Sequence, residues 1–303
     1  GSFVHDDASA TVREAAARYL DSARVRALEP GTQNQYEQHI RIYIGPQIGN
    51  VLLSKLTAPQ IDDLLEHVAE ERSAALAKAV LGTLKRVIKF GQQRGLVRRN
   101  VIVDKSITAP RPEPFVKRMP ERSELSDLLT ATEGRAHIHL KTAVLTGMRL
   151  GELRALTWDH VRFDERLIRV RKACRADGSD KGTKSASGQR DIPISSELMK
   201  DLRAWKLACP NGDRNLVFPN GAGKVESGSN IRQRVFVPAM KAVGLTERAL
   251  DASGKATDKP VFRFHDLRHA AAALFIDQGL TAKRIQQLMG HSSIQVTFDV
   301  YGY

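Results

Sequence analysis

Cysteine is nearly missing from this chain. Cys174 and Cys209 are the only two in 303 residues, and no Cys-x-x-Cys occurs. That excludes a disulfide framework and a thiolate zinc site, and fits a reducing cytoplasm. Long apolar runs are missing too. No stretch of 18 or more apolar residues occurs, so no transmembrane helix is expected. The chain does not open with the charged, apolar and small-residue segments of a secretory leader. Gly1-Ser2 resembles the pair left when a purification tag is cleaved, and is set aside. Familiar catalytic signatures are also lacking. Gly178-Ser-Asp-Lys-Gly-Thr-Lys-Ser approaches a phosphate-binding loop, but its lysine comes one place late. Neither H-E-x-x-H nor G-x-S-x-G occurs. His265 and His269 stand four apart, as helical metal ligands can, but only Asp-Leu-Arg separates them and no general-base glutamate follows the first. No metal and no cofactor are expected.

What remains is apolar and basic. Hydrophobic residues make up 42% and charged residues 27%, enough for a real core and against a mainly disordered chain. The length suggests two domains. The net charge of +13 points to a polyanionic partner, most often nucleic acid. That surplus is uneven. Residues 1–77 hold seven Lys/Arg against eleven Asp/Glu, whereas residues 78–118 hold eleven against two. In this middle stretch Lys78, Lys85, Arg86 and Lys89 recur at helical spacing around Val80, Leu81, Leu84, Val87, Ile88 and Phe90. One face would be apolar and another basic, which suits a helix facing phosphates; a merely solvated face is the alternative. Arg94, Arg98, Arg99, Lys117 and Arg118 extend the basic stretch and join the candidate DNA-binding residues.

Four helices are expected before residue 105: 11–28; 33–44 with Thr32 as N-cap; one opening at Thr57-Ala-Pro-Gln; and the basic helix from about Ser73 to Gln93, stopped near Gly95. Residues 109–120, APRPEPFVKRMP, carry four prolines and read as an interdomain linker. The expected division is a helical bundle over 3–108, the linker over 109–120 and a second domain over 121–303.

That second domain mixes elements. Helices are expected over 121–131 (Ser123 a possible cap), 136–146, 152–156, from Ser195 or Ser196 to 207, 264–278, 282–289 and 293–300. Strands are expected at Leu167–Lys172 and from Arg190, forming a hairpin around a Gly/Ser/Lys-rich loop at 175–190. The fold class is mainly α with a small antiparallel β-sheet.

Four separated pieces carry chemistry. In Thr146-Gly-Met-Arg149-Leu-Gly-Glu152-Leu, an arginine at a helix start leaves its guanidinium and nearby N–H groups available to an anion, and Glu152 stands where it could orient that arginine. Thr183-Lys184-Ser185 lies at the hairpin tip. His265-Asp-Leu-Arg268-His269 puts His265 and Arg268 three apart on a helix. Leu288-Met-Gly-His291-Ser-Ser is followed ten residues later by Tyr301. Taken singly, each has a plain structural reading: a surface ion pair for Arg149, a solvated lysine, a half-buried histidine, a packed tyrosine.

Together, and in this order, these pieces resemble the tyrosine recombinase (phage integrase) family, whose local signatures are Thr-Gly-x-Arg-x-x-Glu-Leu and Leu-x-Gly-His-Ser. The resemblance spans nearly the whole chain, including a helical core-site DNA-binding domain before the linker. It implies an α+β catalytic domain and a site-specific DNA recombinase working without metal or ATP. Its catalytic residues would be Arg149, Lys184, His265, Arg268, His291 and Tyr301, with Glu152 supporting. It further implies double-stranded core sites as substrate, a homotetramer on synapsed DNA, a monomer without it, and possible DNA-bending accessory proteins. The interval from His291 to Tyr301 is one residue longer than in some members, though mobile-element integrases often show it. Members usually continue past the tyrosine with a tail, and its absence, with Gly1-Ser2, leads us to expect a trimmed chain; many phage integrases also carry an extra arm-site domain, which is either removed here or was never part of the protein. A resolvase of chromosome or plasmid dimers would share these residues. A type IB topoisomerase fits the signatures less well, and a DNA-binding relative without catalysis would not need the tyrosine.

Overall fold

Hydrophobic periodicity, caps and glycine stops set the helices of the chain. A computed structural model describes residues 9–25, 28–97, 107–111, 118–182, 188–250, 254–291 and 293. It divides the chain into two compact units, Gly1–Val116 and Lys117–Tyr303.

The first unit is all helical. α1 spans Val12–Val25, α2 Pro30–Gln38, α3 Gly45–Ile48, α4 Ala58–Glu71 and α5 Ala74–Gln93. A π-helical segment, His39–Ile44, joins α2 to α3. The predicted cap Thr32 is not the cap. α2 starts earlier, at Pro30 after Glu29, because proline fits a first turn whose N–H has no helical partner. Thr57 does cap α4, its N–H donating to Gln60 Oε1 at 3.0 Å. Ser73 caps α5, its Oγ accepting the Leu76 N–H at 3.2 Å. Ile61, Leu64, Leu65 and Val68 of α4 interlock with Val80, Leu84, Val87 and Ile88 of α5 in one core, with Val12 and Ala15 of α1. α5 thus buries one face and exposes Lys78, Lys85, Arg86 and Lys89 on the other.

The second unit is helical around small sheets. α6 (Arg122–Thr130) is capped by Glu121 rather than by Ser123. α7 (Gly134–Thr146) runs through the core, burying Ile138, Leu140, Ala143 and Val144. α8 (Leu150–Ala155) follows closely. β1 (Val161–Arg162), β2 (Leu167–Val170) and β5 (Arg190–Pro193) form an antiparallel sheet, with Leu167 opposite Pro193 and Val170 opposite Arg190. The stretch expected to be only loop contains β4 (Asp180–Gly182), which pairs with β3 (Lys172–Cys174). Ser195 caps α9 (Ser196–Ala208).

Also not foreseen were α10 (Gly228–Ile231), leading through a π-helical turn into α11 (Val237–Ala242), and the hairpin of β6 (Thr246–Leu250) with β7 (Ala256–Pro260). α12 (Asp266–Asp277) and α13 (Ala282–Met289) close the described chain, and the helix expected at 293–300 lies outside the described residues. Fully buried leucines such as Leu140 and Leu153 each contribute roughly 2 kcal/mol to this core. Among the described residues no helix is long and apolar enough to cross a membrane.

Candidate active site

The site forms where α7 stops. Gly147 ends that helix in the left-handed conformation, φ +61°. A Cβ there would stand 2.8 Å from Met289 Sδ and 3.1 Å from Ala271 Cβ, so both backbone and space require glycine. Two residues on, Arg149 sits at the N-cap of α8. Glu152, in the first turn, accepts the Arg149 N–H at 2.8 Å and its Nη1 at 2.9 Å. The backbone N–H that the sequence left available to an anion is therefore taken. The Arg149 guanidinium, 41% exposed, keeps its outward reach.

Glu152 is itself buried, at 4%, and faces a second arginine. Arg190, 5% exposed at the start of β5, donates Nη2 to Glu152 Oε2 at 2.7 Å and Nη1 to Oε1 at 3.1 Å. Burial alone would raise the Glu152 carboxyl. The hydrogen bonds and charge of Arg190, then Arg149, outweigh it and hold the pKa below the ordinary carboxylate value.

The three arginines converge on the end of α13. That helix ends at Gly290, φ +64°, and the His291 N–H returns to the Gln286 carbonyl at 3.1 Å, as in a Schellman turn. The Gly290 N–H satisfies the Gln287 carbonyl at 3.1 Å. The next three carbonyls meet guanidiniums: Leu288 accepts Arg190 Nε at 2.6 Å, Met289 accepts Arg268 Nη2, and Gly290 accepts Arg149 Nη2 at 3.0 Å. Cations suit the negative end of a helix dipole. Arg268, on α12, also donates Nη1 to the Gly147 carbonyl at 2.5 Å, tying the end of α7 to the end of α13.

His291 follows this anchored turn. Burial, then the charges of Arg268, Arg149, His269 and Arg190, push its pKa down to about 4. It is neutral at pH 7 and offers one nitrogen as acceptor. His265 is exposed at the N-cap of α12, whereas Arg268 three residues on is buried, so the two share a helix but not an environment. The His265 and His269 rings meet edge to face, 5.5 Å apart. Among the described residues no group of three or more His, Cys, Asp or Glu side chains is placed to hold a metal ion.

Arg149, Glu152, Arg268 and His291 are thus brought together, with His265 on the same helix as Arg268. Lys184 and Tyr301 lie outside the described residues, as do Arg98, Arg99 and Lys117. On α5 Lys78, Lys85 and Lys89 are exposed, as is Arg94 at its C-cap. Arg86 folds back, donating Nη1 to the Gly82 carbonyl at 2.7 Å with its guanidinium 5.5 Å from the Tyr36 ring centre. Arg118 pairs with Glu124. Sequence reasoning passed over Arg190, although the strand it opens was expected.

Comparison with known proteins gives the family. Residues 118–302 match the model of the phage integrase family, and residues 12–106 match that of the phage integrase central domain. An integrase of Streptomyces ambofaciens is 31% identical over 277 residues, covering 86% of this chain and 68% of that protein. The solved integrase of transposon Tn1549, in complex with a circular intermediate DNA, superposes with a TM-score of 0.81 at 20% identity, over 97% of this chain and 96% of that one. A lambda integrase tetramer bound to a Holliday junction gives 0.73 at 22% identity, over 95% and 79%. With a family model spanning most of its length, the chain belongs to the phage integrase family: it is a tyrosine recombinase, a DNA strand-transferring enzyme of site-specific recombination.

Proposed function

We propose that the chain integrates and excises a mobile DNA element, with Tyr301 as nucleophile and Arg149, Lys184, His265, Arg268 and His291 around one scissile phosphate. The observation that carries this reading is the convergence of Arg149, Arg268 and His291 on the end of α13. Attack on a phosphodiester adds negative charge to the non-bridging oxygens, and two fixed guanidiniums can meet that charge with forked hydrogen bonds.

The Tyr301 hydroxyl oxygen bonds to phosphorus, and the bond from phosphorus to the 5′ oxygen breaks. A 3′-phosphotyrosine ester forms. The phenolic proton passes to neutral His291 or to His265, and Lys184 gives a proton to the departing 5′ oxygen. The ester conserves the bond energy, so attack by another strand's 5′ hydroxyl rejoins DNA and releases the tyrosine. Glu152 holds Arg149 rather than moving a proton.

In this reading, residues 3–108 bind core-site DNA through Lys78, Lys85, Arg86, Lys89, Arg94, Arg98 and Arg99. Lys117 and Arg118 of the 109–120 linker add phosphate contacts, and 121–303 is the catalytic domain. The working form is a homotetramer on two duplexes in the cytoplasm, with DNA-bending proteins as helpers. The test is a set of nicked duplexes tiled across the DNA flanking the encoding gene. One of them should trap a covalent adduct that Tyr301→Phe abolishes. Arg149→Ala and Arg268→Ala should lose the adduct while binding the same duplex. Absence of adduct on every duplex refutes the reading.

A further inference from the structure

We propose that Arg190 is a positioning residue for this active site, holding Arg149 through Glu152 and His291 through the end of α13. The inference rests on the reading that Arg149 and His291 act at the scissile phosphate. Arg190 is buried, its side chain 5% exposed. Its guanidinium is spent within the protein: two donors fork onto the Glu152 carboxylate, Nε goes to the Leu288 carbonyl, and Nη1 also approaches the Gly188 carbonyl at 3.3 Å.

Each partner adjoins a reacting group. Glu152 holds Arg149 at both its backbone N–H and Nη1. Leu288 lies one turn before His291, on the helix end whose next two carbonyls are held by Arg268 and Arg149. Arg190 also lies six residues after Lys184 in the sequence, at the start of β5. One rigid planar group on β5 therefore ties together the two segments that carry Arg149 and His291.

Only arginine can do this. A lysine ammonium in the same place reaches the carboxylate or the helix carbonyl, but lacks the fixed fork that serves both in one plane. The cost should appear in the reaction rather than in DNA affinity, because misplacing reacting groups by about 1 Å can slow a step by about 100-fold.

The experiment uses the full chain and the nicked duplex that traps an adduct with wild-type protein. Adduct formation is followed in single turnover for Arg190→Lys, Glu152→Gln and the double variant, with Arg149→Ala as control. Binding to the same duplex and thermal melting are measured alongside. Arg190→Lys should bind within about twofold of wild type and form adduct about 100-fold more slowly. Glu152→Gln should also slow adduct formation, and the double variant should lose less than the product of the two single losses, because the Arg190–Glu152 pair is shared while the Leu288 contact belongs to Arg190 alone. If one variant fails to fold, the other decides.

Adduct formation at the wild-type rate in Arg190→Lys, with Arg149→Ala inactive, overturns the role of Arg190 alone. A rate loss matched by an equal loss of folded or DNA-bound protein also overturns it, since that describes a purely structural ion pair. An Arg149→Ala protein that cleaves normally instead overturns the site on which the inference rests.

Discussion

Lowering the pH should destabilise the second unit through one histidine in its core. His139 lies on α7, fully buried, its ring stacked on Phe218 at 4.5 Å between centres and edge-on to Phe264 at 6.0 Å. Neither ring nitrogen has a hydrogen-bond partner. Burial, helped by the charge of Arg135 and opposed by Glu226, pushes its pKa from 6.5 down to about 3. Below pH 6.5 the unfolded chain takes up a proton that the folded chain refuses. Stability is therefore complete above pH 6.5, declines as the pH falls, and stops declining below the folded value. Between pH 7 and pH 5 the loss from this residue works out at about 2 kcal/mol. That is a substantial share of the roughly 5–15 kcal/mol that holds a typical domain folded.

The assay is urea unfolding of wild type and His139→Leu at both pH values. His39 and His160, whose pKa values burial also lowers, are common to both proteins and cancel in the comparison. Wild type should lose about 2 kcal/mol more than the variant on going to pH 5. Equal losses in the two proteins would refute the claim that His139 is held neutral by burial. The site shares this core, because Phe264, against which the ring packs, immediately precedes His265.

Three further outcomes follow from the geometry. Gly147→Ala should destabilise by about 2–4 kcal/mol, combining a left-handed alanine with crowding against Met289 and Ala271, and should slow adduct formation by moving the carbonyl that Arg268 holds; melting and single-turnover cleavage check it. Replacing Lys78, Lys85 and Lys89 with alanine should lower the slope of log affinity against log salt by about 0.9 for each DNA phosphate left without its lysine, whereas Arg86→Ala, whose guanidinium is turned back onto Gly82 and Tyr36, should change it less. Adduct formation should persist in a chelator, since arginines supply the charge that a metal would; its loss in EDTA would refute that assignment.

Much of the fold could be read where one local rule decides it. Thr57, Ser73 and Ser195 cap helices because a side-chain oxygen beside an unpaired N–H needs nothing distant. The basic face of α5 was visible because its apolar face repeats at helical spacing. Elements without such a signal were missed. β6 and β7 form a hairpin with little burial on either face, so no apolar alternation marks them. α11 carries Pro238 in its first turn after a π-helical turn, where the missing N–H costs little, and no cap residue announces it.

The arginines show the same limit at the site. Arg149 and Arg268 stood out by their neighbours in sequence. Arg190 did not, because the groups that bury it are 38 and 98 residues away. A partial signal was nonetheless present. Along β5 burial alternates, placing Arg190 on the inward side with Ile192. A charge facing inward on a strand is stable only against an opposite charge or several acceptors. Glu152, already expected beside Arg149, was the acid available. Strand register constrains charge as well as hydrophobicity, and under that constraint Arg190 is drawn to Glu152. The buried pair follows from period-two geometry and the cost of burying an ion, and the placement of Arg149 follows from the pair.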